Sequence, residues 1–332
     1  MIPLADVTFT EAIWVMVVKS LVIFLVIFSI VPVLTVVERK LIGRFQHRYG
    51  PNRVGPFGLL QPLADIGKLV SKTPFRPANA VPLLFAIGPA LVILSGVAAL
   101  AIIPFGDVKD GVGFYGVDIS IGILYFFAVG SIAFYGLLLG GWASGSRYSF
   151  LGAMRSAAQL ISYEVSMGLA LLGVVMMAGS LSLVEIVHQQ GEVWYIVPQL
   201  VGFLIFMVAG FAETNRAPFD LPEADAELVQ GFMTEYGGAR FASFMLAEYR
   251  EILVVSGIGA ALFLGGWMGP GPGWLDPLWM LAKMMALVFF FIWVRATLPR
   301  LRYDQLMSLG WKVMLPLATL NVLVTAVLVV IL

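Results

Sequence analysis

Residues 81–104 read VPLLFAIGPALVILSGVAALAIIP, 24 positions without one charged side chain. A helix rises about 1.5 Å per residue, so such a run reaches across the apolar core of a bilayer, which is about 30 Å thick. The rest of the chain has the same character. Of its 332 residues 60% are hydrophobic and 12% charged, where a soluble domain carries about 25% charge. The mean hydropathy is +0.95.

Similar apolar runs on both sides of residues 81–104 predict an all-α integral membrane fold of about eight transmembrane helices. The expected spans are 13–37, 81–104, 119–141, 158–182, 196–212, 241–268, 275–294 and 311–332. They form a single polytopic membrane domain over residues 1–332, with no soluble domain left over. The first apolar run reads as an uncleaved helix rather than a processed signal.

Basic residues near span ends set orientation. Arg39, Lys40, Arg44, Arg48, Arg53, Lys68, Lys72 and Arg76 follow the first span. Arg147 and Arg155, then Arg216 and Arg240, then Arg295, Arg300, Arg302 and Lys312 fall in the third, fifth and seventh loops. The even loops are poor in bases. Both termini are therefore expected on the periplasmic side of a bacterial plasma (inner) membrane, with the odd-numbered loops cytoplasmic.

Between residues 58 and 72, Leu59, Leu63, Ile66 and Val70 recur at helical spacing. Gln61, Asp65, Lys68 and Lys72 take the opposite face. This amphipathic segment is too short and too polar to span and reads as an interfacial helix.

Several charges fall where lipid is expected, at a cost of at least about 2.5 kcal/mol each in mid-bilayer. Lys19 is near enough to a span end to snorkel. Glu164, Glu213, Glu248, Arg250, Glu251 and Lys283 are deeper. Glu248 and Glu251 share one helix face, while Arg250 points elsewhere. Buried ion pairs that only fix packing explain Arg250 well. They explain the glutamates less well, because the acids outnumber the bases. Burial disfavours the ionised carboxylate, and a row of such groups is how proton relays are built.

The loop 213–240 carries Glu213, Asp220, Glu223, Asp225, Glu227 and Glu235 against only Arg216 and Arg240. These acids alternate with Phe219, Leu221, Leu228, Val229 and Phe232, residues that want burial. The loop therefore reads as an acidic, inward-folded segment on the cytoplasmic side rather than a solvated one. The chain has no cysteine and two histidines, His47 and His188, on expected opposite sides. Cysteine-ligated clusters and a bis-histidine haem are thereby excluded, and no metal site is expected.

Six stretches carry a family resemblance: VERKLIGRFQHRYGPNRVGPFGLLQPLADIGKL (37–69), GAMRSAAQLISYE (152–164), AETNRAPFDLPEADAEL (212–228), EYGGARF (235–241), AEY (247–249) and PRLRYDQLMSLGWK (299–312). In order and spacing they resemble the H subunit of bacterial respiratory complex I, the proton-translocating NADH:quinone oxidoreductase and translocase. That family is homologous to mitochondrial NADH dehydrogenase subunit 1. The resemblance covers essentially the whole chain.

It implies a protein that lines much of the quinone-access tunnel and cavity and couples quinone reduction to proton translocation, without a redox centre of its own. The implied tunnel residues are Glu38, Arg39, Asp65, Arg155, Arg216, Asp220, Glu223, Asp225, Glu227, Arg295 and Arg300. The implied proton path is Glu164, Glu213, Glu235 and Glu248. Quinone (ubiquinone or menaquinone) is the implied substrate, with NADH, FMN and iron–sulfur clusters held by partner subunits. Those partners are the peripheral-arm quinone-site subunits, the terminal iron–sulfur cluster subunit, small membrane subunits, antiporter-like subunits and lipids, with no nucleic acid. Asp225 departs from the family's usual Glu, and Lys72-Thr73-Pro74 lacks the family's acid, so that stretch supplies no site. The membrane subunit of an energy-converting hydrogenase is the alternative. A free-standing transporter is disfavoured because no internal repeat is found.

Overall fold

The computed structural model describes residues 13–109, 112–222 and 225–331. Its helices are α1 (Ile13–Phe45), α2 (Gln61–Ser71), α3 (Pro82–Leu100), α4 (Gly122–Ala143), α5 (Arg147–Ala178), α6 (Leu183–Gln189), α7 (Leu200–Glu213), α8 (Asp225–Leu228), α9 (Gly238–Phe263), α10 (Asp276–Thr297), α11 (Tyr303–Leu309) and α12 (Leu315–Ile331). A π-helical turn at Gly310–Met314 joins α11 to α12.

Six segments among the described residues are long and apolar enough to cross a membrane: Leu21–Phe45, Pro82–Leu100, Gly122–Ala143, Arg147–Ala178, Gly273–Thr297 and Tyr303–Ile331. The sequence reading expects eight. The difference lies in α7 and α9. The first has only 14 residues, about 21 Å of helix. The second has 26 residues but carries Glu248, Arg250 and Glu251 in its body.

Boundaries move for local reasons. The expected loop before residue 158 is mostly helix, and α5 begins at Arg147. Ser149, Gly152, Ala153 and Ser156 are all buried and recur at helical spacing. They form a small-residue packing face that a hydropathy reading takes for a loop. Only Ser144–Ser146 remains as the turn, where Gly145 has φ 68° and an added Cβ would stand 2.7 Å from the Asn79 carbonyl oxygen. Helix α1 continues eight residues past its expected end, and its extension carries Glu38 and Arg39.

An antiparallel hairpin of β1 (Pro104–Lys109) and β2 (Val112–Tyr115) adds to the all-α expectation. It pairs Val108 with Gly113 and Lys109 with Val112. Asp110-Gly111, a dipeptide that favours tight hairpin turns, lies outside the described residues.

The core is built around α9. Leu253, Val254, Val255, Ala260, Ala261, Leu262 and Phe263 are all fully buried, packed on α5, α7 and α10. Protein therefore packs round the second half of α9, and the side chains of its charged turn, Glu248, Arg250 and Glu251, are largely buried just before it. Helices α3 and α4 meet through glycine. A Cβ on Gly88 would stand 2.9 Å from the Gly140 Cα, the close approach that small residues permit. Helix α2 forms as expected and lies against α1 and α9, with Leu63 and Val70 exposed.

Hydrogen bonds tie the odd loops together at one end of the bundle. The Leu301 amide donates to the Pro218 carbonyl, and the Val81 amide to the Ala143 carbonyl. At the other end the Ser182 hydroxyl reaches Asp118 at 2.8 Å, His188 reaches Asp107 at 3.3 Å, and the Ile196 amide donates to the Phe263 carbonyl. The segment after α7 folds inward: Phe219, Leu221, Leu228 and Phe232 are buried, while Val229 is exposed.

Candidate functional site

The expected tunnel residues gather in three groups. In the deepest, Arg216 joins helices distant in sequence. Its Nη1 donates to both Glu38 carboxylate oxygens, at 3.1 and 3.2 Å. Its Nε stands 3.2 Å from Glu248 Oε2, and its guanidinium lies 4.1 Å from the Tyr249 ring centroid. Arg295 of α10 also bonds Glu38. Glu38 is 3% exposed and Arg216 7%, so neither charge is tolerable without the other. Burial works against the Arg216 cation, but the adjacent Glu248 and Glu38 carboxylates outweigh it and hold the guanidinium more firmly protonated than usual.

The second group lies where α1 meets α2. Arg39 reaches Asp65 at 3.0 Å, Gln61 donates to the same carboxylate at 2.8 Å, and Lys68 stands 3.9 Å away. This cluster sits at a cavity of about 480 Å³ whose other walls include Pro32, Pro62, Ile66, Leu69, Phe241 and Met245. A charged mouth thus opens onto apolar walls.

The third group is outermost. Glu227 of α8 is bridged to Arg155 of α5 at 2.6 Å and to Arg300 at 3.7 Å. The Arg155 hydrogen bond, with the nearby Arg155 and Arg300 charges, holds the Glu227 carboxyl below its usual range against slight burial. Asp220 is half-buried between Phe219 and Leu221. Glu223 lies outside the described residues, as does the side chain of Asp225.

The expected proton-path residues are brought together with one exception. Glu164 of α5, Glu213 at the end of α7, and Glu248 and Glu251 of α9 line one internal cavity of about 60 Å³. By volume it has room for about four waters. Ser131 donates to Glu164 at 3.4 Å. Glu213 Oε2 and Glu248 Oε1 are buried without a hydrogen-bond partner. Gly130 lies beside the Glu213 carboxylate, where a Cβ would stand at ordinary contact distance, 3.5 Å from Oε1. Glu235, half-buried ahead of α9, is absent from this lining.

Glu251 and Tyr249 are missing from the expected site. Both had a signal: Glu251 stands one helical turn beyond Glu248 on the same face, and Tyr249 completes the AEY stretch. Gln159 also emerges only from the structure. It is fully buried and donates to the Ala212 carbonyl at 2.7 Å, the Phe219 carbonyl at 2.9 Å and Asn215 Oδ1 at 3.3 Å. It therefore pins both ends of the turn that presents Arg216.

Chemically, these side chains can bind, orient and exchange protons. Carboxylates in a confined wet cavity can pass a proton through water, and buried arginines can hold an anion or polarise a carbonyl.

The comparisons agree on one family. A family model described as NADH dehydrogenase matches residues 18–326. The chain is similar to the first of the H subunits of NADH-quinone oxidoreductase in Geobacter metallireducens, 52% identical over 92% of this chain and 94% of that one. Against the NADH-quinone oxidoreductase H subunit of Thermomicrobium roseum it is 50% identical, covering 90% and 91%. Against the protein so named from Paramagnetospirillum magneticum it is 50% identical, covering 88% and 86%.

Proposed function

This chain belongs to the NADH dehydrogenase family, that of the H subunits of NADH-quinone oxidoreductase, and we propose from that membership that it admits quinone to the complex and couples its reduction to proton movement. The observation that carries this reading is the position of Arg216. One guanidinium holds Glu38, which stands with the tunnel residues, and Glu248, which lines the glutamate cavity.

The coupling follows from electrostatics. Reduction of a quinone brings electrons and takes up protons. Negative charge arriving beside Arg216 and Arg295 competes with Glu38 and Glu248 for those cations. A buried carboxylate that loses its cation is costly and takes up a proton instead. That proton is then available to Glu213, Glu164 and Glu251 through the waters of the cavity. The cavity between α1, α2 and α9, with Arg39 and Asp65 at its mouth, suits a molecule with a polar head and an apolar tail.

Quinone is the substrate of this chain in our reading. NADH, flavin and iron–sulfur clusters belong to partner subunits of the peripheral arm, and antiporter-like subunits receive the protons. The chain is a single membrane domain of eight crossings, α7 and α9 completing the count. Support comes from the course of α9, which starts where Gly238 packs on α2 and ends where Phe263 meets Ile196. The end bearing Arg39, Arg155 and Arg300 faces the cytoplasm by its excess of bases.

The Asp65→Ala variant of the assembled complex tests this reading. The exposed Arg39–Asp65 pair contributes at most about 1 kcal/mol to folding, so assembly persists. We expect a raised KM for quinone with NADH oxidation by an artificial acceptor retained. Equal loss of both activities would contradict a role in quinone access.

A further inference from the structure

Arg250 takes no part in the coupling described above, yet it is the most deeply inserted cation of α9. Its side chain is 8% exposed. Nη2 pairs with Glu251 at 2.7 Å, Nη1 bonds the Val92 carbonyl of α3, and Nε is buried without a hydrogen-bond partner. The guanidinium crosses the α3–α9 interface through the gap left by Gly96. A Cβ on Gly96 would stand 1.8 Å from Arg250 Nη1 and 2.0 Å from Cζ.

Two cavities meet at this side chain. On one side is the glutamate cavity of about 60 Å³. On the other is a groove of about 190 Å³ between α1, α2, α3 and α9, lined by apolar residues such as Phe28, Val31, Ile66, Ile93, Leu100 and Leu246. Arg250 and Ala247 line both. Ala247 offers only a methyl group there, so Arg250 is the larger of the two side chains that the linings share.

We propose that Arg250 is a cationic seal that closes the glutamate cavity toward the groove between α1, α2, α3 and α9. A fixed cation at a constriction repels hydronium and other cations, while its paired carboxylate, Glu251, holds it in place. The acids of the cavity would otherwise draw protons in from the groove. Gly96 is part of the device because any side chain there displaces the guanidinium. The seal rests on the reading of the cavity as a proton path, and it directs entry to the Arg216 side.

The test uses the assembled complex in liposomes. Passive proton influx is driven by a potassium diffusion potential without NADH, and protons pumped per NADH are measured separately. NADH oxidation by an artificial acceptor reports assembly. We expect Arg250→Ala to speed passive influx about tenfold, equivalent to about 1.4 kcal/mol of lost barrier, and to lower the pumped ratio. Arg250→Lys, which keeps a cation, should stay near the wild-type leak. Gly96→Ala should leak like Arg250→Ala, and the two together no more than either.

If Arg250→Ala does not assemble, Arg250→Gln removes the charge at similar length and carries the same test. Wild-type influx in an assembled Arg250→Ala or Arg250→Gln complex would overturn the seal. So would a leak that persists unchanged when Glu213→Gln is added, because that leak would bypass the cavity. Glu213→Gln alone separates the two ideas. Normal pumping in that variant counts against the proton path, while the leak of the Arg250 variants still judges the seal.

Discussion

Arg216 grips both oxygens of Glu38, at 3.1 and 3.2 Å, although 178 residues separate them in the chain. The same guanidinium stands 3.2 Å from Glu248. A planar cation with five donors can serve two carboxylates at once, whereas a lysine ammonium is a point charge on a flexible stem. That geometry makes Arg216 the link between Glu38 and the cavity acids.

Removal of this link should be costly. Arg216→Ala leaves Glu38 and Glu248 buried with less compensation, a loss of about 3–5 kcal/mol by analogy with other broken buried pairs. Arg216→Lys should assemble but lose most quinone reductase turnover, because a point-like ammonium cannot reproduce the planar fork that spans Glu38 and Glu248. Thermal melting of the purified complex and turnover with quinone against an artificial acceptor check both expectations. Wild-type turnover in Arg216→Lys would show that the fork geometry is dispensable.

Glu213 and Glu164 line the same cavity, and glutamine matches glutamate closely in volume. Glu213→Gln and Glu164→Gln should therefore assemble, since each replaces a buried carboxylate by a neutral amide. Protons pumped per NADH should fall in each and fall further in the double variant. Normal pumping by an assembled double variant would sink the relay.

The Glu227 bridge has a defined acid limit. Its carboxyl titrates below the usual range because Arg155 donates to it. A depressed folded-state value means that the contribution is present above the unfolded value, about pH 4.3, and fades as pH falls through the lower folded value. Protection of residues 225–231 against hydrogen exchange, corrected for intrinsic rate, should thus be flat from about pH 8 to about pH 5. Glu227→Gln should remove that protection at neutral pH. A loss of wild-type protection already near pH 6 would contradict the bridge.

Much of this was legible in the sequence, and the exceptions have physical causes. The apolar runs located α3, α4, α10 and α12 to within several residues, because charge-free segments of that length have few alternatives. The start of α5 was not legible, because Ser149, Gly152 and Ser156 serve packing rather than hydropathy. Helix α9 lies within a few residues of the expected span 241–268, although Glu248, Arg250 and Glu251 in its body lower its hydropathy: a central helix packed by protein can hold charges that a lipid-facing one cannot. The motif residues Glu38, Arg216 and Arg295 were each expected at one site, but their convergence on a single ion-paired cluster depends on tertiary contacts. Glu235 failed to join the cavity because it precedes α9, whereas Glu251 lies one turn beyond Glu248 and faces it. The pinning role of Gln159 depends on backbone carbonyls, which no side-chain pattern encodes.

Glu248 touches Arg216 on one side and the cavity on the other, so its substitution separates quinone reduction from proton movement. The measurement is protons translocated per NADH oxidised by the reconstituted complex carrying Glu248→Gln, with quinol formation recorded in the same vesicles. The expected result is continued quinol formation with a markedly lower proton ratio. A normal ratio, in a complex that assembles and reduces quinone, would contradict coupling through the Arg216–Glu248 contact.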